Sequence, residues 1–172
     1  MKRITIYILF LFVSSVLVSQ TKTQNYIVTM TPLDETSSVK VENGNVEVDN
    51  NARVNVSIQY FDGLGRPVQT VQRGVVSGTR ADLISLQEYD AFGRESKSWL
   101  PAPNTGNGAY VPDAGAKIQS YYSTMSGESK PFSLPKYEAS PLNRVISQYG
   151  PGKDWHPRSD NADDGKAVRT DY

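Results

Sequence analysis

From residue 26 onward, apolar and polar side chains alternate with a period of two, the pattern of strands that turn one face to a core and the other to water. Tyr26, Val28 and Met30 alternate with Thr29 and Thr31; Val39 and Val41 lead through Asn43-Gly44 to Val46 and Val48; Val54, Val56, Ile58 and Tyr60 alternate with Asn55, Ser57 and Gln59. Asn-Gly between two such runs predicts a two-residue hairpin turn, because both residues tolerate positive φ. Asp49-Asn50-Asn51 predicts the next reversal. Further strands are expected through Val68 and Val71, and through Ile84 and Leu86. The pattern predicts a mainly β fold, an antiparallel meander of hairpins.

Two segments break the rhythm. Residues 101–112 are rich in Pro, Gly and Asn and predict a loop. A short helix is expected near 113–126, with Asp113 as its cap and Gly127 as its stop, because Ile118, Tyr121, Tyr122 and Met125 fall at i, i+3, i+4 and i+7. That apolar stripe is expected to dock on the sheet. Residues 150–165 predict a second loop, a solvated polar one, and residues 167–172 read as a strand that ends without a turn. Such a strand is expected to present an unprotected edge.

Within the strands one phrase occurs three times. It reads Tyr60-Phe61-Asp62-Gly63-Leu64-Gly65-Arg66, then Tyr89-Asp90-Ala91-Phe92-Gly93-Arg94, then, loosened, Tyr137-Glu138-Ala139-Ser140-Pro141-Leu142-Asn143-Arg144. The units lie near 58–71, 86–99 and 135–149. Ala91 resists positive φ, which argues against a two-residue mirror-image turn and for a type I turn opened by the acid and closed by Gly65 or Gly93 in the left-handed conformation. Asn143 takes that place in the third unit, as the next most tolerant residue. Asp62, Asp90 and Glu138 are thus expected to be turn acids, paired with Arg66, Arg94 and Arg144.

This phrase resembles the YD repeat of Rhs-type secreted bacterial proteins. The stretch from Val56 to Val71, with Asn25-Tyr26-Ile27-Val28, Trp99-Leu100-Pro101 and Tyr149-Gly150-Pro151-Gly152, resembles the opening domain of unknown function that precedes such repeats in many of them. The resemblance covers most of residues 25–172. It implies a scaffold or shell-initiating role: in full-length relatives tandem repeats wind into a β shell that can enclose a C-terminal payload. By that reading the chain is a truncated or fragmentary leader domain, and its partner is a downstream YD-repeat shell.

Residues 1–20 read as a signal peptide, with basic Lys2 and Arg3, an apolar run to Val18 and Ser19-Gln20 at the cleavage site. The run is shorter than a spanning helix needs, so an exported mature chain of residues 21–172 is expected, in the periplasm, at the cell surface or secreted. Losing Lys2 and Arg3 leaves 16 basic against 18 acidic side chains. That balance gives no electrostatic footprint for nucleic acid or a membrane surface. The chain has no cysteine, so packing alone must hold it together.

Catalytic groups are sparse. His156 is the single histidine, so no multi-histidine metal site can form, and Asp154, His156, Asp160, Asp163 and Asp164 lack the spacing of a calcium loop. No phosphate loop, nucleophile elbow or dinucleotide fingerprint is present. No catalytic residue, metal or cofactor is assigned, and the chain reads as non-enzymatic. The alternative is a glycan-binding surface module in which Trp99, Tyr110 and Trp155, near the loops, stack on sugar rings.

Overall fold

A computed structural model describes residues 23–34, 39–42, 45–48, 53–159 and 164–172. The expected leader, the Asn43-Gly44 turn, the reversal at residues 49–51, and Asp160 and Asp163 lie outside the described residues. Among those described the fold is the expected antiparallel β meander with one short helix. Strands β1 (Asn25–Pro32), β2 (Val39–Glu42), β3 (Asn45–Val48), β4 (Val54–Phe61), β5 (Pro67–Val76), β6 (Ala81–Tyr89), β7 (Glu95–Trp99) and β8 (Ala102–Asn104) precede helix α1 (Ala114–Ser126); β9 (Phe132–Tyr137), β10 (Val145–Tyr149) and β11 (Ala167–Arg169) follow it. The main sheet runs β1-β4-β5-β6-β7-β9-β10-β11, with β8 beside β6. β2 and β3 pair separately, with Glu42 opposite Asn45.

The alternation in β4 decides where the core lies. Ile58 and Tyr60 point inward and join Val71, Ile84, Ala102, Val111, Ala114 and Ile118 in one buried cluster. Helix α1 covers this face through Ala114 and Ile118, with Tyr121 and Tyr122 packed at its margin. Met125 departs from the expected stripe and stands 68% exposed, because the helix ends at Gly127, whose φ of +65° turns the chain away. Asp113 precedes the helix without a side-chain cap bond.

The loop expected at 101–112 is partly strand. β8 pairs with the start of β6, Ile84 opposite Ala102, while β7 pairs with its end, Gln87 opposite Ser98. β7 and β8 therefore form one strand interrupted at Leu100-Pro101. The remainder of the loop is clamped over the core by three buried polar groups. Tyr60 Oη donates to the Gly108 carbonyl at 2.6 Å, and the Asp82 carboxylate accepts the Gly74 and Gly108 N–H groups at 3.0 and 2.8 Å. Gln69 binds Val111 through both its amide nitrogen and its amide oxygen, at 3.0 and 2.9 Å. Gln69, not Val68, takes the core side of β5 because Val68 is the extra residue of a bulge opposite Tyr60 and Phe61.

The loop after β10 is not uniformly solvated. His156 is 5% exposed, with Nε2 at 2.8 Å from the Phe132 carbonyl and its ring edge-on to Phe132. Burial depresses its pKa below the ordinary value, against the opposing pull of the Phe132 carbonyl. Among the described residues no cluster of His, Asp and Glu could hold a metal ion, and no helix is long and apolar enough to cross a membrane.

Candidate functional site

The three repeat turns lie at one end of neighbouring hairpins. In the first, Gly65 N–H donates to the Asp62 carbonyl at 3.1 Å and Asp62 N–H to the Arg66 carbonyl at 3.0 Å; in the second, the same bonds join Gly93 to Asp90 and Asp90 to Arg94 at 2.9 and 2.8 Å. Gly65 and Gly93 have φ of +78° and +80°, and Asn143 has +53°, the left-handed closure of a type I turn. Strand register then corrects the alignment of the first unit. Phe61, not Tyr60, stands where Tyr89 and Tyr137 stand: Phe61 faces Pro67, Tyr89 faces Glu95 and Tyr137 faces Val145, with one bulged residue following in each return strand. Tyr60 belongs to the core.

Each acid binds its own turn. One oxygen of Asp62 accepts the Leu64 and Arg66 N–H groups, both at 2.9 Å, and the other takes the Arg66 guanidinium at 2.7 Å. Asp90 repeats the pattern with Phe92 and Arg94. The Arg66 N–H is the largest cause holding the Asp62 carboxyl below its ordinary range. For Asp90, desolvation opposes ionisation but the Arg94 N–H and guanidinium outweigh it, and its pKa is again lowered.

The third unit reaches the same geometry by another route, and Glu138 does not open its turn. Ser140 does: its carbonyl accepts the Asn143 N–H at 3.2 Å and its hydroxyl the Leu142 N–H at 3.2 Å, with Pro141 at the position that favours proline. The longer Glu138 carboxylate binds the Ser140 hydroxyl at 2.6 Å and the Arg144 guanidinium at two points, each 2.8 Å. Arg144 first, and Ser140 second, hold its pKa down to about 2.

The units are coupled to one another. Arg66 lies over the Tyr89 ring at 4.3 Å, Arg94 over Tyr137 at 4.3 Å and Arg144 over Tyr172 at 4.4 Å. The hydroxyl of each tyrosine donates to the carbonyl just after that arginine: Tyr89 to Pro67 at 3.0 Å, Tyr137 to Glu95 at 3.0 Å, Tyr172 to Val145 at 3.3 Å. The Arg66 guanidinium also occupies the space a Cβ at Gly93 would need, and Arg94 donates to the Asn143 side chain at 2.9 Å. Each arginine thus closes its own turn and clasps the next unit, a cation–π contact combined with a hydrogen bond. The acid, Gly and Arg spacing along the chain carries no sign of this coupling, nor of the roles of Ser140 and Tyr172.

The carboxylates of the three turns are each engaged within their own turn. A glycosidase acid needs a raised pKa and a second carboxylate across the bond, whereas each of these carboxylates is held ionised by an arginine and by donors of its own turn. A groove of about 370 Å³ lies beside the second unit, and its Asp90, Arg94 and Glu138 are already bonded within the turns. The three expected stacking aromatics have different surroundings. Trp99 packs on Phe132 and donates to Glu88, and Tyr110 packs on Tyr60; both border the buried core. Trp155 is half-exposed beneath the Lys166 ammonium.

Residues 34–169 match a family described as Domain of unknown function (DUF6443). The chain belongs to the DUF6443 family. The match takes in all three turns and every strand from β2 to β11, so the three turn hairpins lie within the DUF6443 domain, and Tyr172 lies just beyond the matched residues. No curated protein and no solved structure matches the chain.

Proposed function

We propose that this DUF6443 domain is a non-catalytic structural domain of an exported protein of the Rhs/YD-repeat type, and that it starts a β shell built from units like its own. The observation that carries this reading is the clasp from each arginine to the next unit's tyrosine. A contact made between successive units serves propagation of a sheet. The commitment of every turn carboxylate to its own arginine and turn donors supports a structural role, and the engagement of Trp99 and Tyr110 in packing gives the glycan-binding alternative little to stack with. Residues 1–20 direct export in this reading.

The test combines a glycan array and a hydrolase panel with substitutions in the turns. Asp62→Ala and Asp90→Ala should lower the unfolding midpoint, with no turnover in the parent protein to lose. Saturable, specific binding of a glycan that Trp155→Ala abolishes would replace the scaffold by a lectin-like module. N-terminal sequencing of the exported protein should find a start near Gln20, and retention of Met1 to Val18 would overturn the export route.

A further inference from the structure

The third clasp is made by the terminal strand of the sheet among the described residues. At the first two interfaces between units, the residue four after the arginine faces the residue four before the tyrosine: Thr70 faces Ser85, and Ser98 faces Ser133. At the third, Gln148 faces Val168, again four after Arg144 and four before Tyr172. The Thr170 N–H to Ile146 carbonyl bond, at 3.1 Å, extends that pairing toward Tyr172. Register, ring stacking and the hydroxyl bond therefore all put β11 and Tyr172 where β6 with Tyr89, and β9 with Tyr137, stand in complete units. In those units the strand ending in tyrosine is flanked on its other side by a return strand, β7 or β10. β11 is the terminal strand of the sheet among the described residues.

We infer that the outer edge of β11 is a strand-addition site whose occupant is the second half of a repeat unit, acid-x-x-Gly-Arg and its return strand, joined directly to Tyr172. Direct joining follows from Tyr89-Asp90 and Tyr137-Glu138, where the acid follows the tyrosine without a gap. The two complete units also set the register. Tyr172 will face the residue after the added arginine, and Asp171 the residue three after it, as Tyr89 faces Glu95 and Glu88 faces Lys97. Main-chain bonds along an open edge provide the affinity in such additions, and side-chain pockets the selectivity. Here the selective element is Tyr172, already oriented by Arg144. The inference rests on the structural reading above and specifies what the sheet accepts next.

The experiment extends the full chain after Tyr172 with a copy of residues 90–99 and follows amide exchange and cross-strand nuclear Overhauser contacts. A second extension carries alanine and valine at the positions copied from Asp90 and Gly93, which breaks the turn while keeping the strand. The intact extension should slow exchange at Asp171 at least tenfold and place Tyr172 opposite the glutamate that follows the added arginine. The broken-turn extension should do neither, and Tyr172→Ala in the intact extension should remove most of the protection. Equal exchange in the two extended chains would overturn the inference, as would protection that appears only with rising protein concentration, which would make a second copy the occupant. An unprotected edge would leave the three internal clasps and the structural role standing, whereas a specific glycan or a hydrolase activity would remove that role and leave strand addition to its own result.

Discussion

The half of the sheet from β4 to β6 and the half from β9 to β11 are built from the same repeat and held together differently. In the first, Ile58, Tyr60, Val71 and Ile84 are wholly buried under α1 and the clamped loop. In the second, β9 is half-buried throughout, Tyr149 of β10 is the one wholly buried large side chain of its strands, and Val168 of β11 is 73% exposed. Less apolar area is removed from water there. The clasps at Tyr137 and Tyr172 fall in this thinner half, where register has fewer buried side chains to set it. Where the core is thick, burial holds the sheet; where it is thin, stacking and hydrogen bonds between units take over.

The largest expected effect tests the thick half. Ile58→Ala deletes a fully buried side chain from the centre of the cluster and should cost about 2–5 kcal/mol in urea unfolding. A loss below about 1 kcal/mol would show that the β4–β6 core is not what holds this half.

The two turn glycines sharpen the comparison next. Gly65→Val meets open space and pays only for its positive φ, about 1–2 kcal/mol. Gly93→Val adds a clash, since a Cβ there would lie 2.9 Å from the Arg66 guanidinium, so it should cost more and should also loosen the first clasp. Equal losses at the two sites would argue against the clasp's presence in solution. Tyr137→Leu keeps an apolar side chain but removes the ring under Arg94 and the hydroxyl bond to Glu95. It should cost about 1–2 kcal/mol, and a double-mutant cycle with Arg94→Ala should show coupling.

Acid should dissolve the two kinds of contact in sequence. His156 has a lowered folded pKa, so the unfolded chain takes its proton more readily and stability begins to fall below about pH 6.5. The carboxylates have lowered folded pKa values too. The stability Glu138 contributes is fully present above its ordinary 4.5 and is lost as the pH drops through about 2, with Asp62 and Asp90 following the same sign. A titration of unfolding free energy in which His156→Phe removes only the upper phase would confirm the order. The smallest effect is expected at Asn143→Gly, which relieves a positive φ but loses the bond from Arg94, and should change the unfolding midpoint little in either direction.

Much of the fold was legible in the sequence because its causes are local. Alternation in residues 54–60 determined which face of β4 is buried, and the acid, Gly and Arg spacing determined the first two turns, since the atoms that close them lie within five residues. The helix was legible from its apolar spacing, though where its stripe ceases to pack was not. What only the tertiary structure decided are the contacts between units. The tyrosine hydroxyls reach carbonyls 22, 42 and 27 residues away, because a four-residue turn, a loop with a helix and a long loop separate successive units. No period in the chain shows this; the constant spacing exists only across the sheet, where antiparallel pairing restores the same four-residue offset at each interface. Gln69, Asp82 and His156 were invisible for a related reason. A polar side chain is buried only where distant backbone groups satisfy it, and those partners come from the loops that fold back over the sheet.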